Sequence, residues 1–349
     1  MIRKYFTGSL IFTVVALILS AWVGYEYGGA SGASALFISA CILAVIEVAV
    51  SIDNAVVNAT VLKDMDAKWR HRFLTWGMLI AVFGMRLIFP IVIVSVAGAI
   101  NPWDALMIAL REPKQYEALM TSVHVQIMAF GGTFLLLVFA SHFLNHEKEV
   151  HWVPGVGHFL SKIGKHGTAK LFLPIVCVLI FSKFAGGDVF LIPALWGIVT
   201  YLMVDGLGEL FGTADATGNI ARTGLAGFMY LEVLDASFSF DGVIAAFAIT
   251  NNFLIIMLGL SIGAMFVRSM TIMLVDKNTL DELRYLEDGA FWGIGWLVFA
   301  MFASAVHIEI GEIWVATGAA GCIALATIHS IAVNKREKLA EKISFDKAA

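Results

Sequence analysis

Residues 45–58 interrupt a long apolar run with charged and polar side chains, and they read Val45-Ile-Glu47-Val-Ala-Val-Ser51-Ile-Asp53-Asn54-Ala-Val-Val-Asn58. The apolar run extends from about Leu36 to Leu62, which exceeds the roughly 20 residues that a helix needs to cross a bilayer. Ionisable groups in the middle of such a helix cost free energy, so their presence indicates a functional site. The stretch therefore predicts a membrane-spanning helix with a polar site at its centre.

The same polar pattern occurs a second time. The later stretch reads Asp235-Ala-Ser-Phe-Ser239-Phe-Asp241-Gly242. It repeats the order acid, hydroxyl, acid at the spacing of Glu47, Ser51 and Asp53. We therefore expect the rest of the chain to hold these two stretches against each other.

The composition is that of a protein that crosses a membrane several times. Of the 349 residues, 59% are hydrophobic and 14% are charged, against roughly 25% charged residues in soluble domains. The mean hydropathy is +0.85. The net charge is −4 without a large basic patch, so we expect the lipid bilayer and not nucleic acid as a partner. Three isolated cysteines make neither a disulfide framework nor a CxxC metal site, namely Cys41, Cys177 and Cys322.

Apolar windows predict an all-α, polytopic transmembrane bundle of about ten helices in a single domain, residues 1–349. The predicted segments cover about 8–25, 36–62, 73–99, 122–144, 170–184, 189–206, 225–250, 253–276, 290–308 and 312–333. Segment 170–184 is short and contains Pro174. We interpret the first segment as an uncleaved helix, although Arg3, Lys4 and the apolar run after them also fit a signal peptide.

Basic residues in the loops predict the orientation. They cluster before segment one, after segments two, four and eight, and in the C-terminal tail, which is one side of the membrane if ten helices cross. The other side carries few, with Arg111 and Lys114 in its longest loop. By the positive-inside rule, both termini are then cytoplasmic.

Three consecutive helices recur in the two halves of the chain. Gly77 and Arg86 on the helix after the first acidic stretch match Gly259 and Arg268 on the helix after the second. The tetrapeptide Leu-Val-Phe-Ala then occurs at 137–140 and 297–300. The matched helices are the second and the seventh, so they cross the membrane in opposite directions. An inverted repeat with polar groups near the midplane is typical of secondary transporters.

The repeat predicts the organisation of the chain. The expected units are a first repeat at 36–144, an inner loop with an inserted helix pair at 145–224, a second repeat at 225–308, and a last helix with a cytoplasmic tail at 309–349.

Helical geometry leaves two interpretations of the first acidic stretch. At 100° per residue, Glu47, Ser51 and Asn54 share one face, whereas Asp53 points about 120° away from Glu47. A regular helix would present Asp53 to a second neighbour. A helix broken near 51–54 would let both acids converge, and Gly242 would permit a similar break in the second stretch.

The residue types indicate the ligand. Carboxylates, an amide and hydroxyls are hard oxygen donors, which suit Mg²⁺, Ca²⁺ or Mn²⁺ and not the metals that prefer thiolates. Arg86 and Arg268 could instead neutralise part of the negative charge. Buried pairs between acids and arginines that lock the two repeats together are therefore the structural alternative to a cation site.

The sequence also resembles a known family. Glu47-x₃-Ser51-x-Asp53-Asn54 and Glu232-x₂-Asp235-x₃-Ser239-x-Asp241-Gly-x₂-Ala245 resemble the two signature motifs of the TerC-like integral membrane proteins, within the LysE-type exporter superfamily. The resemblance covers most of 36–144 and 225–333. This chain looks like a divergent branch, because Gly242 stands where a serine is usual and 170–212 looks like an inserted helix pair.

The resemblance implies a bacterial inner-membrane exporter, most often associated with Mn²⁺ and sometimes with Ca²⁺ binding or tellurium resistance. The metal ligands that it implies are Glu47, Asp53, Asn54, Asp235 and Asp241. The residues that we expect to support them are Ser51, Ser239, Glu232, Arg86 and Arg268.

These observations predict a secondary transporter that exports a hard divalent cation, first of all Mn²⁺, with Ca²⁺ next. The ion is expected as the bound substrate, without a further cofactor. The alternatives are an exporter of a small organic solute such as an amino acid, and a membrane protein that binds or delivers metal. We do not expect an enzyme, because the Gly-x-Gly-Asp stretch of an intramembrane aspartyl protease is missing.

Overall fold

Most of the chain is helical in the computed structural model, which describes residues 2–146, 148, 150–165, 168–211, 224–247, 249–308 and 310–348. No strand occurs among these residues, so the predicted all-α class is confirmed. The main helices are α1 (Thr7–Val50), α2 (Ile52–Leu62), α3 (Ala67–Ala97), α4 (Pro102–Arg111), α5 (Pro113–Ser122), α6 (His124–Phe143), α7 (Pro154–Gly164), α8 (Ala169–Ser182), α9 (Asp188–Phe211), α10 (Gly224–Ala246), α11 (Phe253–Asp276), α12 (Leu286–Ala305) and α13 (Glu312–Ala348).

Seven helices in the described part of the chain are long and apolar enough to cross a membrane, namely α1, α3, α6, α9, α11, α12 and α13. The pair α7 and α8, bent by 103°, makes eight if it counts as one span. These helices confirm a polytopic membrane protein. Two of the ten predicted segments are not in this count. Segment 36–62 corresponds to the second arm of α1 together with α2. Segment 225–250 corresponds to α10, which has 23 residues but carries three acids.

Helix α1 contains two predicted segments because it folds back on itself. Its 44 residues would otherwise extend roughly 66 Å, about twice the thickness of a bilayer core. The backbone leaves helical geometry at Gly28 and Gly29, and Gly29 has φ +61°. The backbones of Gly24 and Gly32 approach so closely that neither position has room for a side chain. The two arms are therefore antiparallel, with Gly29 supplying the left-handed turn conformation.

The two acidic stretches run side by side in opposite directions, as predicted. Glu47 lies beside Gly242, and the side chain of Asn54 donates to Asp235. From Glu47 to Asn54 the residue number increases by seven, and from Gly242 to Asp235 it decreases by seven. This register makes α10 antiparallel to the second arm of α1 and to α2.

The second helix of each predicted repeat packs against the first helix of the other. Helix α11 crosses α1 at Gly259, where an added Cβ would lie 2.6 Å from Leu43 Cβ. Helix α3 approaches α10 at Gly77, where an added Cβ would lie 2.5 Å from Glu232 Oε1. Gly77 and Gly259 are the matched glycines of the sequence repeat. The same small residue therefore allows a close helix crossing in both halves.

The third helices of the repeats, α6 and α12, pack against each other in antiparallel fashion. Gly132 of α6 faces Phe302 of α12, and Gly295 of α12 faces Phe139 of α6. Each glycine makes room for an aromatic ring of the partner helix. This contact joins the ends of the two repeats in the main apolar core of the bundle.

A polar cluster ties the loop after α6 to the start of α12. Asp288 Oδ1 pairs with His142 Nε2 at 2.9 Å and with Lys148, and Asp288 Oδ2 accepts the N–H of Trp152 at 2.8 Å. Burial lowers the pKa of Lys148, and the attraction of Asp288 opposes that shift. The cluster fixes the polar loop to one end of the bundle.

We expect the crossing of α11 over α1 to be intolerant of even one methyl group. An added Cβ at Gly263 would collide with Glu47 Cβ and Cγ, whereas Gly321 of α13 has nothing within 4 Å of that position. Gly263→Ala should therefore lower the thermal unfolding temperature in detergent, because overpacking forces the helices apart. Gly321→Ala is the matched control and should leave that temperature unchanged or raise it, since alanine favours helices over glycine by about 1 kcal/mol. Equal unfolding temperatures for the two variants would contradict this packing.

Candidate functional site

The candidate site lies where α1, α2, α3, α10 and α11 meet. Its charged residues come from four of these helices, namely Glu47 of α1, Arg86 of α3, Glu232 and Asp235 of α10, and Arg268 of α11. Each of the five is at most 5% exposed. Charges buried among apolar helices are stable only when they are paired, and all five are.

A continuous chain of ion pairs joins these residues. Arg86 Nη2 donates to Glu47 Oε1 at 2.6 Å, and Arg86 Nη1 lies 3.6 Å from Asp235 Oδ2. Arg268 Nη2 lies 3.8 Å from the same Asp235 oxygen and 3.4 Å from Glu232 Oε1. Asp235 is therefore shared between two guanidinium groups, one from each repeat.

Helix α3 holds both arginines through its backbone. Arg86 Nη1 donates to Ala81 O at 2.8 Å, and Arg268 Nη1 donates to Phe73 O at 3.1 Å. The Arg268 guanidinium also lies over the Phe73 ring, 4.2 Å from its centroid. Around these carbonyls α3 is wound as a π-helix, over Phe73–Gly77 and Ile80–Ile88. Such wide turns are rare in proteins, and those that do occur are often found at functional sites.

The ion pairs follow the symmetry of the repeat but do not balance in charge. Glu47 and Asp235 occupy matched positions, and each contacts the arginine of its own repeat. Three carboxylates face two guanidinium groups, so the network carries one excess negative charge when all its groups are ionised. A proton or a bound cation would neutralise that excess.

A small cavity borders the network beside Glu47. Its volume of about 30 Å³ gives room for about two water molecules. Glu47, Ser51 and Gly242 line its polar side, and the other lining residues are apolar. A Cβ at Gly242 would lie 3.1 Å from Glu47 Oε2, so the missing side chain leaves that oxygen open to the cavity. Gly242 does not break α10, which is continuous from Gly224 to Ala246.

Asp53 does not join the other acids. The helix is interrupted only at Ser51, and Ser51 N still donates to Glu47 O at 3.0 Å. The helical phase therefore continues, which is the first of the two interpretations from the sequence. Asp53 is 2% exposed, accepts the N–H of Asn54 at 2.9 Å, and lies close enough to Cys322 of α13 for electrostatic interaction.

The remaining predicted residues divide into two groups. Asn54 joins the network, since its Nδ2 donates to Asp235 Oδ1 at 2.8 Å. Ser239 and Asp241 lie in α10, but their side chains are outside the described part of the structure. Within the described part, no three acidic, histidine or cysteine side chains are arranged to hold a metal ion. Glu47, Glu232 and Asp235 are paired with arginines instead.

Several buried oxygens of the network accept no hydrogen bond from any described residue. They are Asn54 Oδ1, Glu232 Oε2 and Asp235 Oδ2. Asn58, one turn beyond Asn54, is 1% exposed and has no described partner for either polar atom of its side chain. Asn58 is not among the predicted site residues, although its position eleven residues after Glu47 puts it on the same helix face.

The helical bundle and its buried ionic network define a polytopic membrane protein with charged groups inside its transmembrane region. More particularly, this chain belongs to the family described as "Protein of unknown function (DUF475)", whose sequence pattern matches residues 52–337. That range includes Asn54, both arginines and the whole second acidic stretch. Glu47 lies just before it.

The chain is also similar to a curated membrane protein. It is 32% identical over 80 residues to the "Uncharacterized membrane protein YceF" of Bacillus subtilis (strain 168). The match covers 23% of this chain and 30% of that protein, so it spans less than a third of the relative's length. No solved structure matches the chain.

We expect Arg86 to be the residue on which the network's stability depends most. Arg86→Met would leave Glu47 buried without its partner, which costs about 3–5 kcal/mol for a buried ion pair. The unfolding temperature in detergent should fall, and adding Glu47→Gln should recover part of the loss because it removes the unpaired charge. Arg284→Met, which breaks the exposed pair with Glu337, is the control and should change it little. Additive losses in the double variant would argue against the pairing.

Proposed function

We propose that this protein is a secondary transporter that exports a hard divalent cation, with Mn²⁺ as the first candidate and Ca²⁺ as the second. The observation that carries the proposal is the meeting of two acidic stretches from antiparallel helices, where Asn54 contacts Asp235 inside the bundle. Membership of the TerC-like group within the LysE-type superfamily is part of the same proposal. It rests on the motifs around Glu47 and Asp235.

The chemistry of the buried groups supports a hard cation. The network offers carboxylate and amide oxygens, and Asp235 Oδ2 and Glu232 Oε2 accept no hydrogen bond from the described residues. Mn²⁺, Ca²⁺ and Mg²⁺ prefer such oxygens. Membrane-interior carboxylates are costly, and they mark ion pathways in other membrane proteins.

The arginines give the proposed site two states. In the conformation described above, Arg86 occupies the space between Glu47 and Asp235 and supplies the positive charge that a cation would supply. A divalent ion bound by these carboxylates must displace Arg86, since two cations cannot share the same oxygens at short range. Arg86 is then a tethered competitor of the substrate. Its return to the carboxylates would favour release of the ion.

The cavity beside Glu47 supports an ion as the substrate. Its volume of about 30 Å³ in this conformation is enough for about two waters or one ion. Exporters of amino acids would need a larger pocket beside the acids. A metal-binding or metal-delivery protein is the other alternative, and it would bind the ion without moving it across the membrane. We propose no enzymatic activity and no cofactor.

The proposed location is the bacterial inner membrane with both termini in the cytoplasm. It rests on the loop charges, because basic residues such as Lys63, Arg70 and Lys277 fall at the end of the bundle where the chain termini also lie if ten segments cross. The cavity beside Glu47 would then open toward the outer side, where α10 ends.

Transport in proteoliposomes tests the proposal. We expect wild-type protein to move Mn²⁺ and Ca²⁺ faster than Zn²⁺, which prefers nitrogen and sulfur ligands. Glu47→Gln and Asp235→Asn should each reduce Mn²⁺ flux at least tenfold. Asp281→Asn, at an exposed position outside the site, should leave the flux unchanged. Metal-dependent fluorescence inside the vesicles provides the readout.

Two results would count against the proposal. Unchanged Mn²⁺ flux in Glu47→Gln and Asp235→Asn would remove the carboxylates from the pathway. Binding of Mn²⁺ to folded wild-type protein without any flux would favour a metal-binding or delivery role.

A further inference from the structure

Asn58 of α2 has no partner in the described part of the structure that explains its burial. It is 1% exposed, and neither Oδ1 nor Nδ2 has a hydrogen-bond partner among the described residues. Thr60 on the same helix is also buried, but its hydroxyl has a hydrogen-bond partner, because it donates to Val57 O at 2.7 Å. A buried amide without partners costs free energy in the fold, so its presence points to a ligand.

The helix face on which Asn58 lies is the polar face of the first acidic stretch. Glu47, Ser51, Asn54 and Asn58 fall at steps of four, three and four residues, which is one side of an α-helix. The hydrogen bond from Ser51 N to Glu47 O at 3.0 Å carries the helical phase across the short interruption. The polar face therefore continues past the network toward the Leu62 end of α2.

The antiparallel register brings this continuation to Glu232. Glu47 lies beside Gly242, and Asn54 lies beside Asp235. One further turn in the same direction reaches Asn58 on α2 and the level of Glu232 on α10, because the two helices run in opposite directions. Glu232 is 5% exposed, and its Oε2 accepts no hydrogen bond from the described residues.

Four oxygens without hydrogen bonds from described residues thus fall along two facing helices within about one turn. They belong to Asn54, Asn58, Glu232 and Asp235. Two amide and two carboxylate oxygens form a donor set for a hard cation, and the set includes no thiol or imidazole. Gly77 of α3 gives the Glu232 carboxylate its space, since a Cβ there would lie 2.5 Å from Oε1.

We propose that Asn58, Asn54, Glu232 and Asp235 form a second binding station for the transported cation. It lies about two to three helical turns from the first station, where Glu47 and Asp235 would bind the ion in place of Arg86, on the side of the network where α2 ends and α10 begins. Asp235 belongs to both stations, and Arg86 lies between them. Arg268 pairs with Glu232 and Asp235, so a cation at the second station displaces Arg268 as one at the first station displaces Arg86. The inference rests on the proposed function, which supplies the ion, and it assigns Asn58 a direct role as a ligand.

Replacement of Asn58 by an apolar residue of similar size tests the station. Asn58→Leu removes the ligand oxygen and also removes the amide that lacks a partner. We expect the apparent KM for Mn²⁺ flux in proteoliposomes to rise about tenfold, while the unfolding temperature stays the same or rises. Thr60→Val is the matched control on the same helix and should leave KM unchanged. A purely structural Asn58 would give the opposite result, with KM unaffected in Asn58→Leu, and would overturn the station.

Asn58→Asp provides a second variant if the leucine variant does not fold. It keeps an oxygen at the same position and adds negative charge, so the apparent KM for Mn²⁺ should fall. An unchanged or higher KM overturns the inference.

If wild-type protein transports Mn²⁺ and Glu47→Gln abolishes transport, the proposed function stands whatever the Asn58 variants show. If folded wild-type protein moves no divalent cation, both proposals fall.

Discussion

The carboxylate of Asp235 is the group on which the centre of this bundle depends. Its Oδ2 lies 3.6 Å from Arg86 and 3.8 Å from Arg268, and its Oδ1 accepts a hydrogen bond from Asn54. These partners come from α3, α11 and α2, so one side chain of α10 holds three other helices. In an apolar interior, each of these charges would be unstable alone. The pairing therefore constrains the helices to this arrangement.

Close packing is the second condition for the network. The guanidinium groups reach Asp235 only because α3 and α11 come close to the acidic helices, and glycines make this approach possible. Gly77 faces Glu232, and Gly259 faces Leu43 at the matched crossing. In both halves of the chain, a glycine at the matched position allows two helices to approach closely. Two related helix pairs that can rearrange against each other are what the proposed transporter function would need.

Much of this arrangement follows from the sequence. The matched helices are the second and the seventh predicted segments, so Glu47 and Asp235 are expected on antiparallel helices. The matched arginines, Arg86 and Arg268, predict the counter-ions of these acids. The phase of α2 also separates Asp53 from Glu47 if the helix is regular, but the sequence does not show whether a helix breaks. That depends on tertiary packing at Ser51. The sequence predicts two segments at 8–25 and 36–62, but it does not show that the turn between them is confined to Gly28 and Gly29.

Asn58 and Asp288 show a different limit of sequence reasoning. A lone asparagine in an apolar helix has the same appearance in the sequence whether it is satisfied or not, and only the structure reveals that Asn58 lacks described partners. Asp288 looks like a first-turn acid of α12, yet it binds Lys148 and the backbone of Trp152 from a distant loop. Such long-range polar contacts depend on how loops return to the bundle, which local pattern does not determine.

The central proposal is that Arg86 and a transported divalent cation compete for the same carboxylates. Titration calorimetry of Mn²⁺ into folded wild-type protein and folded Arg86→Gln protein tests it directly. Without Arg86, the carboxylates of Glu47 and Asp235 carry more uncompensated charge, so the account predicts tighter Mn²⁺ binding in Arg86→Gln than in wild type. Equal or weaker binding in Arg86→Gln, with both proteins folded, would contradict it.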